Sequence, residues 1–120
     1  MSKPAEPAVV EKPAVTELVE KDYDAEVLKA VEPVALQFYS ADSAPCTALA
    51  PRFGAVAEKF RGKIRFLKML RTDGGLAKQL NVTSSPTLVF FKNGKEMGER
   101  LTGDDIKRTA VKSSVEALLA

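Results

Sequence analysis

Apolar and polar positions along the 120 residues fall into distinct periods that predict alternating strands and helices. Ala14-Val15-Thr16-Glu17-Leu18-Val19 reads as a short first strand. Asp22 then precedes Tyr23, Val27, Leu28 and Val31 at helical spacing, which predicts a helix from about Asp22 to Ala30, stopped by Pro33. Val34-Ala35-Leu36-Gln37-Phe38-Tyr39 is nearly all apolar, the mark of a central strand covered on both faces, with Gln37 as its one polar interruption. Leu49, Phe53, Val56 and Phe60 form one stripe of a long helix that starts near Ser43 and ends before Gly62. Pro51 falls inside it, where the ring removes a backbone donor and predicts a kink.

The second half continues the alternation. Ile64 to Leu70 predicts a third strand, Thr72-Asp73-Gly74-Gly75 a turn, and Leu76 to Leu80 a short helix. Pro86 opens a strand over Thr87 to Lys92, and Asn93-Gly94 is a strong hairpin signal joining it to a strand over Glu96 to Leu101. Gly103 breaks that strand, and Asp104-Asp105 starts a final helix with Ile106, Ala110, Val111, Val115, Leu118 and Leu119 as its apolar face. The order β-α-β-α-β-α-β-β-α, with parallel crossovers before a terminal hairpin, predicts an α/β fold: a mixed central sheet flanked by helices on both faces. No internal repeat is present. Residues 1–13 carry three of the seven prolines and balance Lys3 and Lys12 against Glu6 and Glu11. They are expected to be a flexible Pro/Ala/Glu/Lys tail or a linker, with one domain over 14–120.

Composition then narrows the chemistry. One cysteine and no histidine exclude an internal disulfide framework, Cys/His zinc, heme or iron-sulfur ligation, and hydrolysis that uses a histidine base. The net charge of +2 gives no large basic field, so neither nucleic acid nor an anionic membrane is an expected partner. The longest strongly apolar run, Leu88-Val89-Phe90-Phe91, is far short of the roughly twenty residues of a membrane span. The first residues show no apolar core followed by a small-residue cleavage site, which makes the cytoplasm the expected compartment.

The turn after the second strand reads Phe38-Tyr39-Ser40-Ala41-Asp42-Ser43-Ala44-Pro45-Cys46, and the lone cysteine lies one turn inside the helix that follows. This resembles the thioredoxin family, whose site is a strand ending in Phe-Trp-Ala-x-Trp, then Cys-Gly-Pro-Cys opening a helix with a proline five residues after the second cysteine. Phe38, Tyr39, Ala44, Pro45, Cys46 and Pro51 take those places. Ser85-Pro86-Thr87 resembles the family's cis-proline loop, Phe91-Lys92-Asn93-Gly94-Lys95 its strand-turn signature, and Gly103 the glycine before its last helix. The resemblance covers about residues 15 to 120 and implies the thioredoxin fold.

Cys-x-x-Cys at a helix start has a physical reason. Spacing i, i+3 puts both sulfurs on one face. Unpaired N–H groups and the helix dipole stabilise a thiolate at the first position, and the second sulfur resolves the mixed disulfide formed with substrate. Here Ser43 holds the attacking position and Cys46 the resolving one. A serine hydroxyl is barely ionised near neutral pH and forms no disulfide, so the two-thiol cycle cannot run; Ser43 also suits a helix N-cap. A serine hydrolase with a lysine base lacks any oxyanion-hole or Ser-x-x-Lys pattern to support it.

Two further departures accompany Ser43. Gln37 stands at the family's buried proton-acceptor carboxylate and cannot titrate, and a neutral amide is cheaper to bury. Asp42 replaces the tryptophan before the first cysteine, and its charge would raise the pKa of a neighbouring thiolate. Cys46 is expected to be a largely buried, weakly reactive thiol. A cis bond at Pro86 would bring the Ser85 backbone beside Cys46 and complete a groove for an extended peptide, lined by Asp42, Ala44, Pro45, Ser85 and Pro86; a plain strand start would fit a trans bond as well. Lys68 resembles a family lysine near the site, though Arg65, Lys68 and Arg71 also read as solvated charge.

Three functions follow. The first is a thioredoxin-type thiol/disulfide oxidoreductase, a protein-disulfide reductase whose attacking cysteine has been replaced by serine, introduced or natural. The resemblance gives it protein disulfide substrates, a thioredoxin-reductase-like electron donor and no bound cofactor or metal; small globular size without a long exposed apolar run makes a monomer the expected state. The second is a redox-inactive peptide-binding module on the same fold, favoured by Gln37 and Asp42. The third is monothiol chemistry at Cys46 alone.

Overall fold

The computed structural model describes residues 13–120, so the expected tail over 1–13 lies, but for Pro13, outside the described residues. Nine labelled elements follow one another: β1 (Val15–Glu17), β2 (Val34–Tyr39), α1 (Ala44–Lys59), β3 (Arg65–Leu70), α2 (Gly75–Gln79), β4 (Thr87–Lys92), β5 (Lys95–Glu96), β6 (Leu101–Thr102) and α3 (Arg108–Leu119). The sheet order is β1-β3-β2-β4-β5, with β6 also on β4. β1, β3 and β2 are parallel, in register from Val15 opposite Phe66 and from Val34 opposite Arg65 to Tyr39 opposite Leu70. β4 runs antiparallel to β2, pairing Phe38 with Thr87 and Val34 with Phe91. The connection through α2 therefore reverses the chain instead of completing a third parallel crossover.

β2 sits at the centre because its side chains can be buried on both faces, and all but Tyr39 are. Alternation sends Val34, Leu36 and Phe38 to one side, against Val27, Leu67, Leu76, Val82, Val89 and Phe91. It sends Ala35 to the other, with Phe66, Leu88 and Phe90, under Leu49, Phe53 and Val56 of α1 and Val111, Val115 and Leu118 of α3. Phe53 meets Phe66 edge-on at 5.4 Å between ring centroids. α1 is continuous through Pro51, which takes away the intrahelical donor to the Thr47 carbonyl.

Four expectations need correction. The regular helix over Asp22–Ala30 is instead a 3-10 turn (Glu20–Asp22) followed by a π-helical turn (Asp24–Leu28), and Val31 is 92% exposed. A short segment has little intrinsic helicity, so its contacts decide its winding. The Glu20 carboxylate accepts from Leu76 N at 3.1 Å, and Tyr23 packs edge-on against Phe91. The strand over Glu96 to Leu101 is interrupted at Met97–Arg100. There Gly98 has φ +71°, and Arg100 donates to the Leu80 carbonyl at 2.7 Å and to Glu96. The last helix starts at Arg108, not at Asp104, because Arg52 holds both Asp105 and the Ile106 carbonyl, at 2.9 and 3.0 Å, and Lys107 is extended. Finally, Leu119 is 43% exposed, outside the apolar face that Ile106, Val111, Val115 and Leu118 fill. Among the described residues no helix is long and apolar enough to cross a membrane.

Candidate active site

The carboxyl end of β2 leads into a tight turn in which Asp42 takes φ +58°, a left-handed conformation that a short polar side chain tolerates. Ser43 is extended and caps α1. Its Oγ accepts from Cys46 N at 3.4 Å, and its carbonyl accepts from Thr47 N at 2.9 Å and Thr47 Oγ1 at 3.0 Å. Ala44 and Pro45 fill the first helical positions, where a missing N–H is harmless. Cys46 is 5% exposed, and its Sγ accepts from Ser40 N at 3.4 Å.

The Ser85–Pro86 peptide bond is cis, at the start of β4. A side-chain chain ties this loop to the turn: Ser40 Oγ and Ser85 Oγ lie 2.5 Å apart, and Arg71 Nε donates to Ser85 Oγ at 2.9 Å. Since the guanidinium can only donate, the Ser85 hydroxyl accepts from it and is free to donate to Ser40. Ser40 thus touches both Cys46, through its N–H, and the proline loop, through its hydroxyl. The structure brings the turn, the thiol and the Ser85–Pro86 loop together at one end of the sheet.

Gln37, 4% exposed, shares the sheet face of Ala35, the one that α1 covers, and pairs in register with Lys68 of β3. Lys68 is not bare solvated charge: its Nζ stands 5.6 Å from the Tyr39 ring centroid. Tyr39 Oη in turn donates to Glu17, with oxygens at 2.9 and 3.0 Å. Burial first, then that hydrogen bond, push the Tyr39 phenol above its ordinary pKa. Arg65 is also engaged, donating to the Glu26 carbonyl and pairing with Glu26 and Glu32. Ser40 and Arg71 are the site residues that sequence reasoning missed. The signal for Arg71 was its place directly after β3, the strand that pairs with β2; what it reaches depends on the distant Ser85 loop.

Among the described residues no group of three or more His, Cys, Asp or Glu could hold a metal ion. A cavity of about 510 Å³ opens at the other end of β4, between Met97 and Ala117, and none of the site residues around Cys46 line it. The arrangement offers one buried thiol under an N–H donor and a capping hydroxyl at the helix start, beside the Ser85–Pro86 loop.

Fold and site define an α/β domain whose lone thiol lies at a helix start beside a cis-proline loop. The chain belongs to the thioredoxin family: the family's sequence model, described as Thioredoxin, matches residues 14–117. It is similar to "Thioredoxin M-type, chloroplastic" of Spinacia oleracea, 36% identical over 96 residues that span 78% of this chain and 51% of the spinach protein. It is 32% identical to "Thioredoxin" of Peptoclostridium acidaminophilum over 104 residues, 85% of this chain and 90% of that protein. "Thioredoxin Asp f 28" of Aspergillus fumigatus is 29% identical over 76 residues, 62% of this chain and 69% of the fungal one. Family membership points to thiol–disulfide oxidoreductase chemistry, and the chain has one cysteine, Cys46, with which to take part in it.

Proposed function

We propose that this is a thioredoxin-type protein-disulfide reductase framework in which Ser43 occupies the attacking position, so that the chain as written binds disulfide substrates without turning them over. The observation that carries the reading is the seat of Cys46: a buried sulfur three residues after the α1 cap, linked through Ser40 to the cis Ser85–Pro86 loop. In a working cycle the first thiolate attacks a substrate sulfur, forms the mixed disulfide and expels the other substrate sulfur as thiolate. The second thiol then attacks the protein sulfur of that bond, releasing reduced substrate and leaving an internal disulfide for a dithiol donor to reduce. Cys46 fits the second role; Ser43 cannot perform the first. Protein disulfide substrates, a reductase-like electron donor, a monomeric state and a cytoplasmic location complete the proposal, although the name of the spinach relative places that protein in the chloroplast.

The test is protein-disulfide reduction by Ser43→Cys beside the unmodified chain, with a dithiol donor. The unmodified chain is expected to stay at background and Ser43→Cys to exceed it by at least about a hundredfold, since it restores the attacking thiolate. A Ser43→Cys protein that folds, forms its internal disulfide and still reduces nothing would overturn the reductase reading. That result would favour a binding module, the reading supported by buried Gln37 and by Asp42 beside the cap.

A further inference from the structure

A second cavity, about 260 Å³, opens between the end of β3 and α2 and is lined by Arg71, Asp73, Lys78, Asn81 and Thr83, among others. Arg71 belongs both to this cavity and to the Ser85–Pro86 loop, because its Nε is the donor to Ser85 Oγ. That bond fixes the guanidinium at the border of cavity and loop and leaves its terminal N–H groups available. The nearest acid, Asp73, is 3.8 Å from Nη1, a loose ion pair beyond a good hydrogen bond, and its side chain is fully exposed, so solvent screens it. Lys78 is exposed and has no ion-pair partner among the described residues. Two cations against one exposed acid leave the cavity lining net positive, with Asn81 and Thr83 as further polar residues of it.

We infer that this cavity is an anion seat that takes the carboxylate of an Asp or Glu side chain on the substrate polypeptide, two to four residues from the substrate cysteine. The inference rests on the peptide-groove reading above. A peptide extended along the Ser85–Pro86 loop advances about 3.3 Å per residue, so a side chain two or more residues from the reacting sulfur is displaced by about 7 Å or more. Arg71, anchored from the loop side, then meets the carboxylate in a fixed geometry, and Lys78 adds charge from α2. Specificity for acidic segments would thus come from residues beside the reacting centre and not from the thiol itself.

The experiment uses a doubly substituted protein, Ser43→Cys with Cys46→Ser, which traps peptides as mixed disulfides. The probes are two peptides, each with its cysteine bonded to a chromophoric aromatic thiol. They are identical except for Glu or Gln three residues from the cysteine. Attack on the peptide sulfur forms the protein–peptide disulfide and expels the aromatic thiolate, whose absorbance gives the rate. At low salt the Glu peptide is expected to react roughly two- to fivefold faster, the scale of an exposed ion pair, and the ratio to fall to about one at about 0.5 M salt. Arg71→Gln and Lys78→Gln should each lower the ratio toward one, and Asp73→Asn should raise it; Lys78 and Asp73 are exposed, so those two variants keep the fold. Equal rates for the two peptides would overturn the anion seat and leave the exchange reading intact. A ratio that survives Arg71→Gln would overturn the assignment to this cavity. Failure of both peptides to react would bring down the oxidoreductase reading and this inference with it.

Discussion

Ser43 closes the open end of α1, and its hydroxyl meets the N–H of the one residue whose sulfur could do redox chemistry. A capping hydroxyl contributes about 0.5–2 kcal/mol over alanine. The Oγ to N distance of 3.4 Å is long for such a bond, which puts this cap at the weak end of that range. Ser43→Ala is therefore expected to cost about 0.5–1 kcal/mol in urea unfolding. A loss above about 2 kcal/mol would mean that the hydroxyl has a role beyond capping. The residues around it divide clearly. Ser43 and Cys46 could be singled out from the turn motif alone, because their spacing from the end of β2 is a property of the chain. Ser40 and Arg71 could not, because each gains its meaning from Ser85, 45 and 14 residues away.

At the scale of elements, the β4–β5 hairpin shows how a local signal and a distant contact combine. Asn93 and Gly94 take φ +56° and +78°, as a tight hairpin requires. Gly94 also lies against the π-helical turn, where a Cβ would come 2.7 Å from the Leu28 carbonyl oxygen. Gly98 has a similar φ of +71° with open space around it. The pair separates the two effects. Gly98→Ala should cost about 1 kcal/mol for the left-handed backbone alone, and Gly94→Ala about 2–3 kcal/mol, because backbone must also move. Thermal or urea melts of the two variants measure this, and equal costs would show that Leu28 yields freely. The same contact helps explain why the segment before β2 departs from a regular helix: its winding answers to Leu76, Phe91 and Gly94, which periodicity within the segment does not report.

For the molecule as a whole, two arginines fasten the edges of the fold through ion pairs and hydrogen bonds to distant carbonyls. Arg100 ties Glu96 to the end of α2, and Arg52 ties α1 to the stretch before α3. Hydrogen bonds from Arg100 hold the Glu96 carboxyl below the usual carboxylate range; hydrogen bonds from Lys107 first, and then Arg52, do the same for Asp105. A carboxyl whose folded pKa is depressed binds fewer protons folded than unfolded. Its stabilisation is thus complete above the ordinary carboxylate range and is lost as pH falls through the folded value. Stability should accordingly decline below about pH 4. Arg100→Leu should flatten part of that decline while lowering stability at neutral pH by about 1–2 kcal/mol through its lost hydrogen bonds to carbonyls. Urea midpoints at several pH values test this, and an unchanged acid slope in Arg100→Leu would assign the decline to other carboxylates.

The sequence by itself determined the alternation of elements, the burial of β2, the apolar stripes of α1 and α3, the Asn93-Gly94 hairpin and a helix start with a single thiol. All of these are short-range: periodicity, caps and turn residues act within a few positions of the chain. Tertiary structure alone decided the antiparallel run of β4, the π-helical winding before β2, the break at Met97–Arg100 and the delayed start of α3. It also decided which cations serve the site. Arg65, Lys68 and Arg71 look alike along the chain, yet one pairs with Glu26 and Glu32, one lies over Tyr39, and one reaches the proline loop. A charge in sequence carries no direction; its partner is fixed only when strands distant in the chain are brought into register.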